Sequence, residues 1–123
     1  MLFRSRILVL DGAMGTTIQG LDLTPEDFGG PEYEGCNENL VITRPEAIEQ
    51  VHRSFLEAGA DIIETDTFGS TSVVLDEYGL GARAREISRL AAQIARRAAD
   101  DYETPERPRF VAGSIGQIGR AHV

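Results

Sequence analysis

Asp11-Gly12-Ala13-Met14-Gly15-Thr16-Thr17 and Gly59-Ala60-Asp61-Ile62-Ile63-Glu64-Thr65-Asp66-Thr67-Phe68-Gly69 are the stretches whose reading decides the fold. Both follow one plan. A short apolar run ends abruptly in acidic, glycine and hydroxyl residues, as a buried parallel strand does when its carboxyl end opens into a polar site. Two such stretches with a helix between them point to an α/β enzyme whose chemistry sits at the strand ends.

Working outward, Ile7-Leu8-Val9-Leu10 reads as a buried strand closed by Asp11-Gly12. Residues 18–36 are rich in Gly, Pro and acids and read as a long loop, often a functional feature in an α/β unit. Thr43-Arg44-Pro45-Glu46 has the spacing of a capping box with proline in the first turn. The helix it opens puts Ile48, Val51, His52 and Phe55 on one face and ends at Ala58-Gly59. A second strand spans Ile62 to Thr65, a short helical turn Ser72 to Leu75, and Gly79 and Gly81 break the chain. From Ala82 to about Asp100, Ile87, Leu90, Ala91, Ile94, Ala95 and Ala98 form a stripe, with Arg89, Arg96 and Arg97 facing water. Thr104 to Pro108 is a loop, and Arg109 to Gly113 a third strand ending in Gly113-Ser114. This strand–helix alternation predicts parallel strands with right-handed crossovers.

Composition narrows the function. The chain has 123 residues, 41% hydrophobic and 26% charged, with a formal net charge of −8. That charge argues against a nucleic-acid binder and against an anionic membrane surface. No apolar run approaches the roughly 20 residues that span a bilayer. The apolar stretch before Asp11 is too short for a signal peptide, and a single cysteine, Cys36, excludes an internal disulfide framework. The expected location is the cytoplasm. Gly12-Ala13-Met14-Gly15 lacks the glycine order of a dinucleotide site and the Gly-Lys-Ser/Thr ending of a phosphate loop. His52 reads as a core histidine, Met14 as a space-filler and Cys36 as an ordinary loop cysteine, since a lone thiol makes no structural zinc site. Asp11-Gly12 could also be no more than a strand-ending turn, and Glu64 could pair with a basic neighbour.

Several motifs in one order carry a family resemblance. Asp-Gly-Ala-Met-Gly-Thr at 11–16, Gly35-Cys36-Asn37-Glu38-Asn39-Leu40 followed by Thr43-Arg44-Pro45, and Glu57 through Thr71 resemble the homocysteine S-methyltransferases, most of all the homocysteine-binding module of the cobalamin-dependent methionine synthases. The resemblance runs from about Ile7 to Gly116 and implies the first three βα units of a (β/α)₈ TIM barrel. It implies homocysteine as substrate, with a zinc ion held by three cysteine thiolates from later strands, none of them in this chain. Zinc would convert a thiol of pKa about 8.5 into a thiolate that attacks a methyl donor. Cobalamin would be bound by other domains of the parent protein; betaine or S-methylmethionine is the alternative donor. The implied substrate-binding residues are Asp11, accepting from the homocysteine ammonium; the amides of Gly12, Ala13 and Met14, cradling its carboxylate; and Glu64, Asp66, Thr67 and Ser114, lining the same mouth. The family often has asparagine where Asp66 stands.

The resemblance stops at Gln117-Ile118-Gly119-Arg120-Ala121-His122-Val123, where the family continues with Pro-Thr. This peptide matches one frame of a common sequencing-library adapter. Residues 1–116 are therefore expected to be a partial homocysteine-binding domain and 117–123 a non-native read-through tail. Three of eight strands leave open edges, so the isolated chain is expected to be inactive and marginally stable. The competing expectation is a small α/β domain that binds an amino acid and catalyses nothing.

Overall fold

The computed structural model describes residues 6–116; the 117–123 tail expected from the sequence lies outside the described residues. Two parallel strands, β1 (Ile62–Glu64) and β2 (Phe110–Ala112), pair in the register Ile62–Phe110, Ile63–Val111 and Glu64–Ala112. The first apolar segment runs along the other side of β1. It is joined by a single parallel bridge between Leu10 and Ile62, by the amides of Asp61 and Ile62 donating to Val9 O, and by Asp11 N donating to Ile62 O at 2.9 Å. The spatial order is thus first segment, β1, β2, in chain order and all parallel, as the sequence predicts.

The first segment is not a buried strand. Ile7 is 89% exposed, and Val9 and Leu10 about half exposed. It lies at the sheet's edge, where β1 covers only one side of it and only the Leu10 bridge gives it ladder geometry. β2 ends one residue short of the expected Gly113 at Ala112, and β1 ends at Glu64, although Thr65 N still donates to Ala112 O at 2.9 Å.

One face of the sheet is covered by two helices. α3 (Pro45–Ala58) follows two short helices, α1 (Met14–Gln19) and α2 (Leu40–Thr43); α4 (Ser72–Leu75) and α5 (Ala84–Tyr102) come after β1. The end of α1 and 3₁₀ turns at 25–28 and 31–33 occupy the 18–36 stretch that the sequence suggests is one long loop, and a further 3₁₀ turn at 37–39 leads into α2. Ile48, Val51 and His52 of α3 are buried as predicted, as are Ile87, Ala91, Ile94, Ala95 and Ala98 of α5. Arg89, Arg96 and Arg97 are exposed, again as predicted. The alanines matter: Ala95, Ala98 and Ala99 let the α5 backbone lie close against Ile63 and Leu56. A larger cluster from Ile18 to Ile94 seals the space between α3, α5 and the loop turns. Cys36, expected in an open loop, is 1% exposed within that cluster.

Caps fall differently from the sequence reading. Thr43 does not cap α3; its hydroxyl donates to Asp27 O at 2.6 Å, and Arg44 stands at the cap position without a side-chain bond. Pro45 does open the helix, and Gly59 ends it in the left-handed region at φ 113°, where a β-carbon is strained. The capping box lies at Thr24–Asp27 instead, entering the 25–28 turn. Thr43 belongs to the preceding helical turn, so its hydroxyl already points back to Asn39 and Asp27.

The amino end of the sheet is closed by arginines. Asp61, fully buried, accepts two bonds from the Arg6 guanidinium at 3.0 and 2.8 Å, one from Val9 N at 2.9 Å and one from Arg107 Nε at 3.3 Å. Arg6 above all holds its carboxyl well below the usual range. Arg109 Nη1 donates to Leu56 O and Ala60 O, both at 2.9 Å, tying the end of α3 to the start of β1.

Candidate functional site

At the opposite, carboxyl end the three segments turn outward together. Asp11 Oδ2 accepts from Glu64 N at 3.1 Å, so the tip of the first segment is pinned to the tip of β1. Thr67 Oγ1 donates to Ser114 O at 2.8 Å, and Ser114 N donates to Thr65 Oγ1 at 3.2 Å. Because the Thr67 proton is spent on Ser114, the 2.7 Å contact between the two threonine hydroxyls runs from Thr65 to Thr67. This clasp holds the loop after β1 against the loop after β2.

Between these tips lies a cleft of about 280 Å³ lined by Gly12, Ala13, Met14, Gly15, Asn37, Glu38, Glu64, Asp66, Phe68 and Ser114. It lies just below the usual size range of small-molecule sites. Among the described residues its lining holds three acidic side chains and no basic one. Glu38 is positioned by Gly69 N, which donates to its Oε2 at 3.1 Å. Asp66 is only 4% exposed, and its Oδ2 is buried without a hydrogen-bond partner. Burial first, then the Glu38 carboxylate, push the Asp66 carboxyl well above its ordinary range. Asp11 moves the same way, raised by burial against the opposing pull of the Glu64 amide, and its Oδ1 is also buried without a partner.

Six of the eight residues predicted from the sequence line the cleft: Gly12, Ala13, Met14, Glu64, Asp66 and Ser114. Asp11 and Thr67 stand behind the wall. Asp11 commits one oxygen to the Glu64 amide, and Thr67 commits its hydroxyl to the clasp. Gly12 has a packing role: a β-carbon there would meet the Phe55 ring at 3.1 Å. The sequence reading passed over Gly15, Asn37, Glu38 and Phe68 as site residues. The signal for all four is present in the sequence, because Gly15, Asn37-Glu38 and Phe68 each lie within one of the motifs that carry the resemblance.

The zinc centre that the resemblance implies does not fit these residues. The sequence has one cysteine. Its thiol is buried, and that burial pushes it up to about 11, away from the thiolate form a metal needs. Among the described residues no three His, Cys, Asp or Glu side chains are grouped to hold a metal ion. His52, fully buried with both ring nitrogens unpartnered, is pulled down to about 4 by burial and stays neutral in the core, as predicted.

Comparison with known proteins supports the resemblance. The family model for homocysteine S-methyltransferase matches residues 8–122. Methionine synthase of Mycobacterium tuberculosis (strain ATCC 25618 / H37Rv) is 50% identical over 111 residues, covering 90% of this chain and 9% of that protein. Methionine synthase of Mycobacterium leprae (strain TN) is 48% identical over 111 residues, again 90% of this chain and 9% of its own length. The chain thus spans about a tenth of the curated relatives it matches. Among solved structures, the metallated form of the homocysteine methyltransferase MmuM from Escherichia coli superposes with a TM-score of 0.76 at 27% identity, covering 96% of this chain and 41% of that one. Its oxidized form superposes at 0.75 and 28% identity, with 94% and 39% coverage.

Proposed function

The chain belongs to the homocysteine S-methyltransferase family, and on that premise we propose that its described residues form the part of a homocysteine site that grips the amino-acid end of the substrate. The observation that carries this reading is the acid-lined cleft at the carboxyl ends of three parallel segments, the end of a parallel α/β array where ligands bind. Glu64 presents a carboxylate to the substrate ammonium, with Asp11 behind it holding the Glu64 backbone in place. The amides of Gly12, Ala13 and Met14 face the substrate carboxylate, where α1 begins without a side-chain cap. Thr67 and Ser114 keep the two loops at a fixed separation.

In the parent protein, the homocysteine thiol would take a methyl group and leave as the thioether of methionine. The (β/α)₈ barrel, the zinc that activates the thiol and the cobalamin that carries the methyl group would be completed by residues outside this chain. No chemical step is assigned to the residues described here; their work is binding and orientation. The chain alone is therefore a methyltransferase module without methyl-transfer activity. A cytoplasmic setting fits this role, and no helix among the described residues is long and apolar enough to cross a membrane.

Titrating homocysteine into isotope-labelled chain tests the reading. Amide shifts are expected at Gly12–Gly15, Glu64 and Ser114, and the same residues should respond to methionine but not to a thiol lacking the amino-acid end. Shifts confined to other surfaces, or none at saturating homocysteine, overturn it.

A further inference from the structure

We propose that Asp66 works in this cleft as a neutral carboxylic acid, a hydrogen-bond donor to the carboxylate end of a bound amino acid, and not as a further anion. The inference rests on the amino-acid reading of the cleft and assigns one of its residues a chemistry opposite to its usual one. Three observations carry it. Asp66 lines the cleft yet is 4% exposed, and its Oδ2 is buried with no partner. A buried ionised carboxylate without donors is costly, and the group sheds its charge instead. The charged and titratable side chains facing it are Glu38 from the turn at 37–39 and, beyond it, the buried thiol of Cys36. Glu64 also lines the cleft, and among the described residues no arginine or histidine joins the lining. A neighbouring carboxylate disfavours a second negative charge beside it.

The two carboxyl groups differ in their partners. Glu38 accepts from Gly69 N, whereas the buried Asp66 Oδ2 has no donor among the described residues. The consequence for binding is chemical. Glu38 and Glu64 as carboxylates only accept hydrogen bonds and suit an ammonium. A zwitterion also brings a carboxylate, which needs donors, and a protonated Asp66 adds one to the amides of Gly12, Ala13 and Met14.

The test uses the full 123-residue chain with carbon-13-labelled aspartate. At neutral pH the infrared spectrum should contain the carbonyl stretch of a protonated aspartic acid that disappears in Asp66→Asn. Homocysteine titration should find Asp66→Asn within about threefold of the wild type, because the amide also donates. Asp66→Leu should bind about tenfold or more weakly, the scale of one lost hydrogen bond in a binding site. A missing acid band overturns the proposal and leaves the substrate reading untouched, as does a tenfold loss in Asp66→Asn equal to that in Asp66→Leu. An acid band in a chain that shows no response to homocysteine overturns the ligand named here together with the substrate reading.

Discussion

Asp61 and Asp66 flank the same three-residue strand, one at each end, and both are buried, yet their environments drive them in opposite directions. At the amino end Asp61 collects bonds from two guanidiniums and a backbone amide, and its carboxyl is held far toward the anion. At the carboxyl end Asp66 has an oxygen with no donor and a carboxylate for a neighbour, and it is driven toward the acid. Burial alone therefore says nothing about a carboxyl group's charge; the donors around it decide. The amino end is built to hold the sheet together. Among the described residues the carboxyl end gathers two buried carboxyl oxygens without donors, Asp11 Oδ1 and Asp66 Oδ2, beside one cleft, against the single Arg109 Nε at the amino end, which favours a ligand there.

The strongest way to break this comparison is to remove the hub. Asp61→Ala strips the carboxylate from Arg6, Arg107 and Val9 N and should cost about 2–3 kcal/mol of stability at pH 7, read by urea unfolding, the half-exposed guanidiniums returning to water. The sign of its pH dependence follows from the lowered folded-state pKa. The stabilisation is present above the unfolded aspartate value and is lost as pH falls below it toward the folded one. The gap between wild type and variant should therefore narrow in acid; a gap independent of pH would show that packing, not charge, is at stake.

Arg109→Met is next. It leaves Leu56 O and Ala60 O without their donor and should cost about 2 kcal/mol, with little change in homocysteine affinity. A matching loss of binding would mean the two ends are coupled.

Thr67→Val sharpens the other side. It breaks the bond to Ser114 O and removes the acceptor for Thr65, so about 1.5 kcal/mol is expected, together with altered amide shifts at Ser114. Retention of wild-type shifts there would remove Thr67 from the clasp.

The last effect reverses sign. Asp66→Asn should stabilise the fold at neutral pH, since it removes the cost of keeping a buried carboxyl protonated where the unfolded chain would ionise. With a raised folded pKa, the aspartate fold is most favoured below the unfolded value and loses stability as pH rises through the interval to the folded one. The advantage of asparagine should vanish near pH 4 and grow upward from there; thermal melts across that range decide it.

Much of the architecture is legible in local patterns. The apolar stripes of α3 and α5 recur every three to four residues, and the helical turn at Ser72–Leu75 was read with its observed bounds. The strand tips were legible because acids and glycines end apolar runs at the same end of each segment. The Asp61 hub was not, because its partners lie 55 residues before it and 46 after it, and no local period reports such pairs. Helix α1 hides among glycines and threonines of weak helix propensity. Thr43-Arg44-Pro45-Glu46 misled because a capping spacing is indifferent to whether its threonine already belongs to the previous turn. Burial of Cys36 and exposure of Ile7 both depend on what packs across space, which composition does not carry.

The separation of the Asp61 partners also sets a clock for assembly. Arg6 is made first, Asp61 55 residues later and Arg107 a further 46 after that. At about 5–20 residues per second of synthesis, Asp61 waits roughly 2–9 s for its second guanidinium. During that interval the hub lacks the Arg107 donor and β1 has no β2 beside it, so one edge of β1 stays unpaired until Phe110–Ala112 arrives to cover it.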